Sequence, residues 1–340
     1  MIRLFANANY DFIKWRRWAY MLTALMIVPG FVLLAIRGIN YSIEFTGGTQ
    51  LQVRTHKVIA VGVLRTALDQ AGIRGAEIAT FGSDSEFLIR ARLGTEAGGA
   101  GGTEATAAAV DTALAASIGH AAYTIDRHEA VEAKVGRELQ GKAFLAIVFS
   151  FVVTLAYLAW RFEWRFGLAA VIATAHDILT TISFLVLMRL EVSLVVVGAV
   201  LTMVGYSLND TIIIFDRVRE NLRKYRRQNL YEILNLSINE TLPRSVLTHG
   251  TTMATTLALV FLAGEVIRPF AMVMTFAIFT GTFSSIYIAA PVLLWIEKRW
   301  PGEDARGARA FGSRPATPPV STPPATPPST AAPRTPQPAR

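Results

Sequence analysis

The stretch Val204-Gly205-Tyr206-Ser207-Leu208-Asn209-Asp210-Thr211, followed by Ile212, Ile213, Ile214, Phe215, Asp216 and Arg217, decides the class of this protein. An acid, Asp210, stands near the end of an apolar run, Val192–Phe215, that is long enough to cross a bilayer. A carboxyl in hydrocarbon costs several kcal/mol, so an acid in such a run points to an ion or proton site.

Composition agrees. The chain has 340 residues, 52% hydrophobic and 17% charged, against about 25% charged in an ordinary soluble domain. It is short of solvated surface. With no cysteine, disulfide and thiolate-metal chemistry are excluded. The net charge of +8 raises the question of nucleic acid, which the placement of the charges answers.

Apolar runs of about 20 residues occur six times: Trp18–Ile36, Ala143–Trp160, Phe166–Met188, Val192–Phe215, Ser245–Ala263 and Pro269–Ile296. Lys and Arg concentrate before the first, between the second and third, between the fourth and fifth, and after the sixth. If the segments alternate, these groups share one side, which the positive-inside tendency makes cytoplasmic. Both termini are then expected there, and the basic residues report topology rather than nucleic acid. The first run ends Leu34-Ala35-Ile36-Arg37 without a small-x-small cleavage signal, so it reads as an uncleaved anchor.

The expected division is a cytoplasmic N-terminus (1–17), a first span (18–36), an outer α+β domain (37–142), five further spans (143–300) with a basic loop at 216–244, and a tail (301–340). Within the outer domain, Gln50–Thr55, Glu77–Phe81, Glu86–Leu93 and Ala122–Glu129 read as strands, and Val58–Ala71 and Thr103–Ser117 as helices. That β-α-β-β-α-β order predicts a small ferredoxin-like domain. The Gly-rich run 94–102 lacks a Lys-Ser/Thr ending and reads as a flexible loop, not a phosphate cradle. The tail holds 11 of the 15 prolines, cannot bury a core, and is expected to be disordered.

The candidate chemistry lies in the membrane. Gly198, Thr202, Gly205 and Asn209 line one helical face with small and polar groups, and Thr202, Tyr206 and Asp210 an adjacent stripe. The fifth segment carries a ribbon of Arg244, Thr248, Thr251, Thr252 and Thr255. The third carries Ala170, Thr174, Asp177 and Thr181, with His176 beside Asp177, and the sixth Ala277, Gly281, Ser284 and Ser285. If these faces converge, an Arg244 that approaches and withdraws would load and release a proton at Asp210. Plainer readings stand beside this one. Asp210 is also suited to a structural pair, His176–Asp177 to tying helices together, His249 to a hydrogen bond between helices, and Arg244, after Pro243 at an expected helix start, to reaching headgroups. Glu265 and Arg268 would form an ion pair in an outer turn. No zinc His-Glu-x-x-His, Gly-x-Ser-x-Gly or Walker sequence is present, so an enzyme is not expected.

The motifs resemble one family. Glu44-Phe45-Thr46-Gly47-Gly48-Thr49, Arg161-Phe162-Glu163-Trp164-Arg165, His176-Asp177, the Gly205–Thr211 stretch, Phe215–Asn221, Ser237–Arg244 and Gly264-Glu265-Val266-Ile267-Arg268-Pro269-Phe270 are together similar to SecF-type subunits of the SecD/SecF family. That family lies in the resistance-nodulation-division superfamily. Glu44 departs from an expected Asp, and the Pro-rich tail is not a family feature.

The resemblance implies a six-helix half pairing with SecD in the bacterial inner membrane. The pair would assist SecYEG and SecA, with YajC, by drawing preprotein outward at the expense of the proton-motive force. It implies a proton pathway through Asp210, Arg244 and Thr248, with no cofactor beyond H⁺. Beside what the resemblance implies, His176, Asp177 and Asn209 are a candidate secondary polar site in the membrane, and Gly47, Gly48, Thr49, Gly205, Arg268 and Pro269 are expected to be structural motif positions. Two rivals are half of a proton-driven small-molecule or lipid exporter, and a scaffold that transports nothing.

Overall fold

A computed structural model describes residues 8–73, 76–91, 102–131, 133–264 and 266–300. Residues 94–101, Glu265 and the tail 301–340, on which some expectations fall, lie outside the described residues.

A 3₁₀ turn (Ile13–Trp15) leads into α1 (Arg16–Arg37), followed by a one-turn helix, α2 (Ile43–Thr46). Then come β1 (Gly48–Thr55), α3 (Val61–Gln70), β2 (Glu77–Phe81), β3 (Ser83–Ala91), α4 (Gly102–Ile118) and β4 (Tyr123–Val131). The remainder is helical: α5 (Ala133–Arg161), α6 (Trp164–Leu187), α7 (Leu194–Lys224), α8 (Leu230–Leu262) and α9 (Arg268–Ser284). A π-helical turn (Ser285–Ala289) joins α9 to α10 (Ala290–Arg299). Among the described residues, six helical runs are long and apolar enough to cross a membrane: α1, α5, α6, α7, α8 and the continuous α9–α10.

The sheet runs in the order β2-β3-β1-β4 with every neighbouring pair antiparallel. Alternation decides its faces. Leu51, Val53, Phe87 and Ile89 bury one face against Leu64 and Leu68 of α3 and Val110 and Leu114 of α4. Gln50 and Arg90 point the other way, joined by a 2.9 Å hydrogen bond. Gly47 and Gly48 have φ of 73° and 133°. Only glycine adopts both readily, which fixes the Gly-Gly pair between α2 and β1. Thr49, the second residue of β1, is fully buried.

The sheet domain is fastened to the loop between α6 and α7. Ser42 N donates to Val192 O (3.0 Å), and Val192 N donates to Asn40 O (2.8 Å). Glu44 accepts from Leu194 N (2.5 Å), placing a carboxylate on the positive end of α7. Arg90 pairs with Glu191; burial still pushes the Glu191 carboxyl above its usual range. Pro269 lies in the first turn of α9, where its missing N–H costs nothing.

Three expectations are corrected. The stretch 216–244 is not a loop: α7 continues to Lys224 and α8 begins at Leu230, leaving a turn at 225–229. Hydropathy registers only the part of a helix that meets lipid, whereas both helices run on past it. At 1.5 Å per residue, the 33 residues of α8 span about 50 Å. Its start carries a capping box, Asn229 with Glu232. Second, Pro243 lies inside α8, so Arg244 is not at a helix start. Third, α5 begins at Ala133, ten residues inside the stretch expected to belong to the outer domain, because its first turns are polar.

Candidate functional site

Two aspartates among the described residues are sealed in the helix bundle: Asp177 of α6 is 0% exposed and Asp210 of α7 is 2% exposed. Small residues bring the helices together there. A Cβ on Gly281 of α9 would lie 3.0 Å from Ser207 Cβ of α7, and one on Gly30 of α1 would lie 2.4 Å from Ser183 Cβ of α6. Close crossing of this kind is the usual way membrane helices gain packing energy.

Asp210 is held by two serines. Ser245 of α8 donates to Oδ1 (2.6 Å), and Ser285, first residue of the π turn, donates to Oδ2 (2.8 Å). Asp177 accepts from Ser207 of α7 and from Ser284 (2.8 Å) at its Oδ2. Its Oδ1 lies 2.9 Å from His176 Nδ1, and His176 Nε2 lies 3.3 Å from Thr23 Oγ1 of α1. The network therefore ties α1, α6, α7 and the α9–π junction. Each serine at the junction also reaches a backbone carbonyl of its own helix: Ser284 to Gly281 O (3.1 Å) and Ser285 to Thr282 O (3.0 Å). A hydroxyl can thus donate to the carboxylate, or donate to the carbonyl while accepting from a protonated acid.

The predicted trio does not meet within this chain. Arg244 and Thr248 are exposed on α8, and Arg244 forms no ion pair among the described residues. The reason is angular. Ser245 faces Asp210, and the preceding residue points about 100° away around the helix. Asn209 and Gly205 of α7 are exposed too, so Asn209 does not join His176 and Asp177. Tyr206 hydroxyl bridges to Thr252 Oγ1 of α8 (3.0 Å), and its ring meets His249 edge-on at 5.4 Å. His249 Nδ1 is buried without a hydrogen-bond partner among the described residues. Thr202, Gly205 and Asn209 of α7 and Arg244, Thr248, Thr251 and Thr255 of α8 are all exposed, on two helices joined by the Tyr206–Thr252 hydrogen bond.

Sequence reasoning passed over Ser245 and Ser207. It placed Ser284 and Ser285 on a polar face without their partners. It also missed the clasp at the other end of α8, where Asn239 exchanges two hydrogen bonds with the backbone of Tyr10 (2.9 and 2.8 Å). A buried serine beside an arginine carries no signal of its own; the Asn235/Asn239 spacing of four was the available clue.

The family model for the C-terminal part of SecD/SecF, described as "Protein export membrane protein SecD/SecF, C-terminal", matches residues 111–299, and the "SecD/SecF GG Motif" matches residues 32–57. The chain belongs to the SecD/SecF family of protein-export membrane proteins. A protein translocase subunit SecF from Gemmatimonas aurantiaca is 55% identical over 91% of this chain and 94% of its own length. One from Escherichia coli O157:H7 is 35% identical over 84% and 87%. Among solved structures, Thermus thermophilus SecDF, titled a translocon-associated membrane protein, is 34% identical with a TM-score of 0.76. A super-membrane-facing form of SecDF scores 0.62 at the same identity. The matches cover 86% of this chain but 39% and 40% of those SecDF chains; this chain spans about two fifths of them.

Proposed function

We propose that this chain is the SecF-type half of a SecD/SecF export unit that couples proton movement at Asp210 to preprotein translocation. It is a Sec protein-export accessory subunit, as its SecF relatives and SecDF neighbours support. The observation that carries the coupling is the seat of Asp210, a buried acid held by two serine hydroxyls, one of which, Ser285, has a second acceptor in Thr282 O. In the ionised state Ser285 donates to the carboxylate. On protonation, Asp210 donates to Ser285 and that hydroxyl turns to Thr282 O. No buried donor or acceptor is orphaned in either state, which keeps both accessible. The transmembrane potential adds about 2.3 kcal/mol per charge per 100 mV.

Arg244, Thr248 and Asn209 belong to this reading through the partner. A polar face carrying an unpaired arginine is costly against lipid, so we assign it to a helix of SecD, whose acid would stand opposite Arg244. The unit would then act beside SecYEG, SecA and YajC in the bacterial inner membrane. Both termini are cytoplasmic, and the α+β domain is read as ferredoxin-like and periplasmic. H⁺ is the coupling ion.

The test uses inverted vesicles containing the translocon, SecD and this chain, wild-type or Asp210→Asn. Completion of preprotein translocation is followed with and without a proton gradient, and assembly is checked by co-purification. Loss of the gradient-dependent part in an assembled variant supports coupling at Asp210. Export equal to wild-type leaves the chain a scaffold.

A further inference from the structure

Outside the carboxylate network, an apolar cavity of about 510 Å³ lies at the sheet-domain end of the helices. Its walls are Phe144 and Ile147 of α5, Ile178 and Ile182 of α6, and Val197 and Val200 of α7. The polar residues of the lining are Asn40, Tyr41, Gln140 and Arg189. We propose that this cavity holds one acyl chain of an anionic phospholipid, with the lipid phosphate on Arg189.

Three observations carry this. Apolar walls give water no partners, and an empty void forfeits dispersion contacts along its lining. The filler at hand in a bilayer is hydrocarbon. Size fits: a methylene takes roughly the 30 Å³ of a liquid water, so 510 Å³ accommodates on the order of 17 carbons, one ordinary chain.

Arg189 supplies the headgroup site. It is the one non-glycine residue with positive φ, 54°, among the described residues. Its peptide is fixed on both sides, Arg189 N donating to Val186 O (3.2 Å) and Asn40 Nδ2 donating to Arg189 O (3.3 Å). The residue lines the cavity and makes no ion pair among the described residues, the neighbouring Glu191 being engaged by Arg90. An arginine of this kind at the membrane boundary matches a phosphate in charge and geometry. Nothing acidic lines the cavity to repel an anionic headgroup.

The complex with SecD, purified in detergent, would be incubated with phosphatidylglycerol or phosphatidylcholine of 16- and 18-carbon chains and read by native mass spectrometry. Ala143, a cavity-lining residue on α5, is changed to Phe to fill the space. Arg189→Asn removes the charge with a residue that tolerates positive φ. Wild type is expected to retain one phosphatidylglycerol per chain with at least a five-fold preference over phosphatidylcholine. Ala143→Phe should lose at least ten-fold of that occupancy, and Arg189→Asn should keep lipid but lose the preference. Wild-type occupancy no higher than that of Ala143→Phe overturns the proposal, as does an unchanged headgroup preference in Arg189→Asn. A photoreactive residue at 143 that captures translocating polypeptide instead of lipid overturns it too. Should Ala143→Phe fail to fold, the headgroup preference of Arg189→Asn decides alone.

Discussion

Asp177 and Asp210 are joined through two consecutive side chains: Ser284 donates to Asp177 and Ser285 to Asp210, each at 2.8 Å. The serines sit where α9 gives way to the π turn. That turn has a local cause. Pro291 has no N–H to offer the carbonyl of Tyr287, so the ladder ahead of α10 loses a regular bond. A change in the hydrogen bonding of either acid therefore acts on a helical junction that also holds the other.

Ser285→Ala removes a donor from the ionised Asp210 and leaves a buried acceptor open. A hydrogen bond to a charged group is worth about 1.5–3 kcal/mol, so gradient-dependent translocation should fall about ten-fold or more while gradient-independent export persists. Ser285→Thr keeps the hydroxyl and should restore most of it. The vesicle assay with both variants is the measurement; equal activity of Ala and Thr would remove Ser285 from the mechanism.

Of the described glycines, Gly30 stands nearest to a neighbouring helix. A Cβ there would stand 2.4 Å from Ser183 Cβ and 2.7 Å from Ser183 Cα, and the backbone atom cannot swing away. Gly30→Ala should therefore part α1 from α6, costing about 1–3 kcal/mol as other overpacked cores do. It should also loosen the Thr23–His176 contact on the same helix pair. Thermal unfolding of the purified chain reads the first effect. Adding Ser183→Gly should recover part of the loss, and no recovery would place the strain elsewhere.

What the sequence revealed follows from what apolar patterning can report. Spans show because lipid demands long hydrophobic runs, and Asp210 shows because an acid inside one is conspicuous. Sheet order was legible in outline because alternation and turn residues are local. Helix ends were not: residues 216–224 and 230–244 are polar yet helical, held by the Asn229–Glu232 capping box and by contacts to the N-terminal segment. Nor was the pairing of Asp210 with Ser245 rather than Arg244. That choice is a rotation of one residue on α8, set by packing of three helices that no single-segment pattern contains.

The N-terminal segment is clasped to α8 through Asp11, whose Oδ1 accepts from Tyr231 hydroxyl (2.5 Å), Asn235 Nδ2 (2.9 Å) and Lys14 N (3.2 Å). The Tyr231 hydroxyl chiefly, with the Lys14 amide and Asn235, holds this carboxyl below its ordinary 3.8. A lowered folded-state value means that the clasp contributes fully above 3.8 and is lost as pH falls through the lowered value. Amide exchange at Tyr10 and Ile13, corrected for intrinsic rates, should accelerate only below about pH 4. Asp11→Asn should abolish that pH dependence. An unchanged profile in the variant would assign the transition to another group.

Arg244 tests whether the exposed polar face is built for a partner. Among the described residues it has no ion-pair partner, and it stands one residue from the serine that holds Asp210. An arginine facing hydrocarbon costs about 2.5–3.5 kcal/mol on insertion scales. Arg244→Leu should therefore leave this chain alone as stable as wild type, or more so, by thermal unfolding. Assembled with SecD, the same change should lower both co-purification and gradient-driven export, because the partner's acid would be buried without its counter-charge. Arg244→Lys keeps the charge but not the planar fork, so it should restore assembly more than export. The discriminating quantity is the difference between the two settings. If Arg244→Leu destabilises the isolated chain as much as the assembled pair, its role lies within this chain and the face needs another explanation.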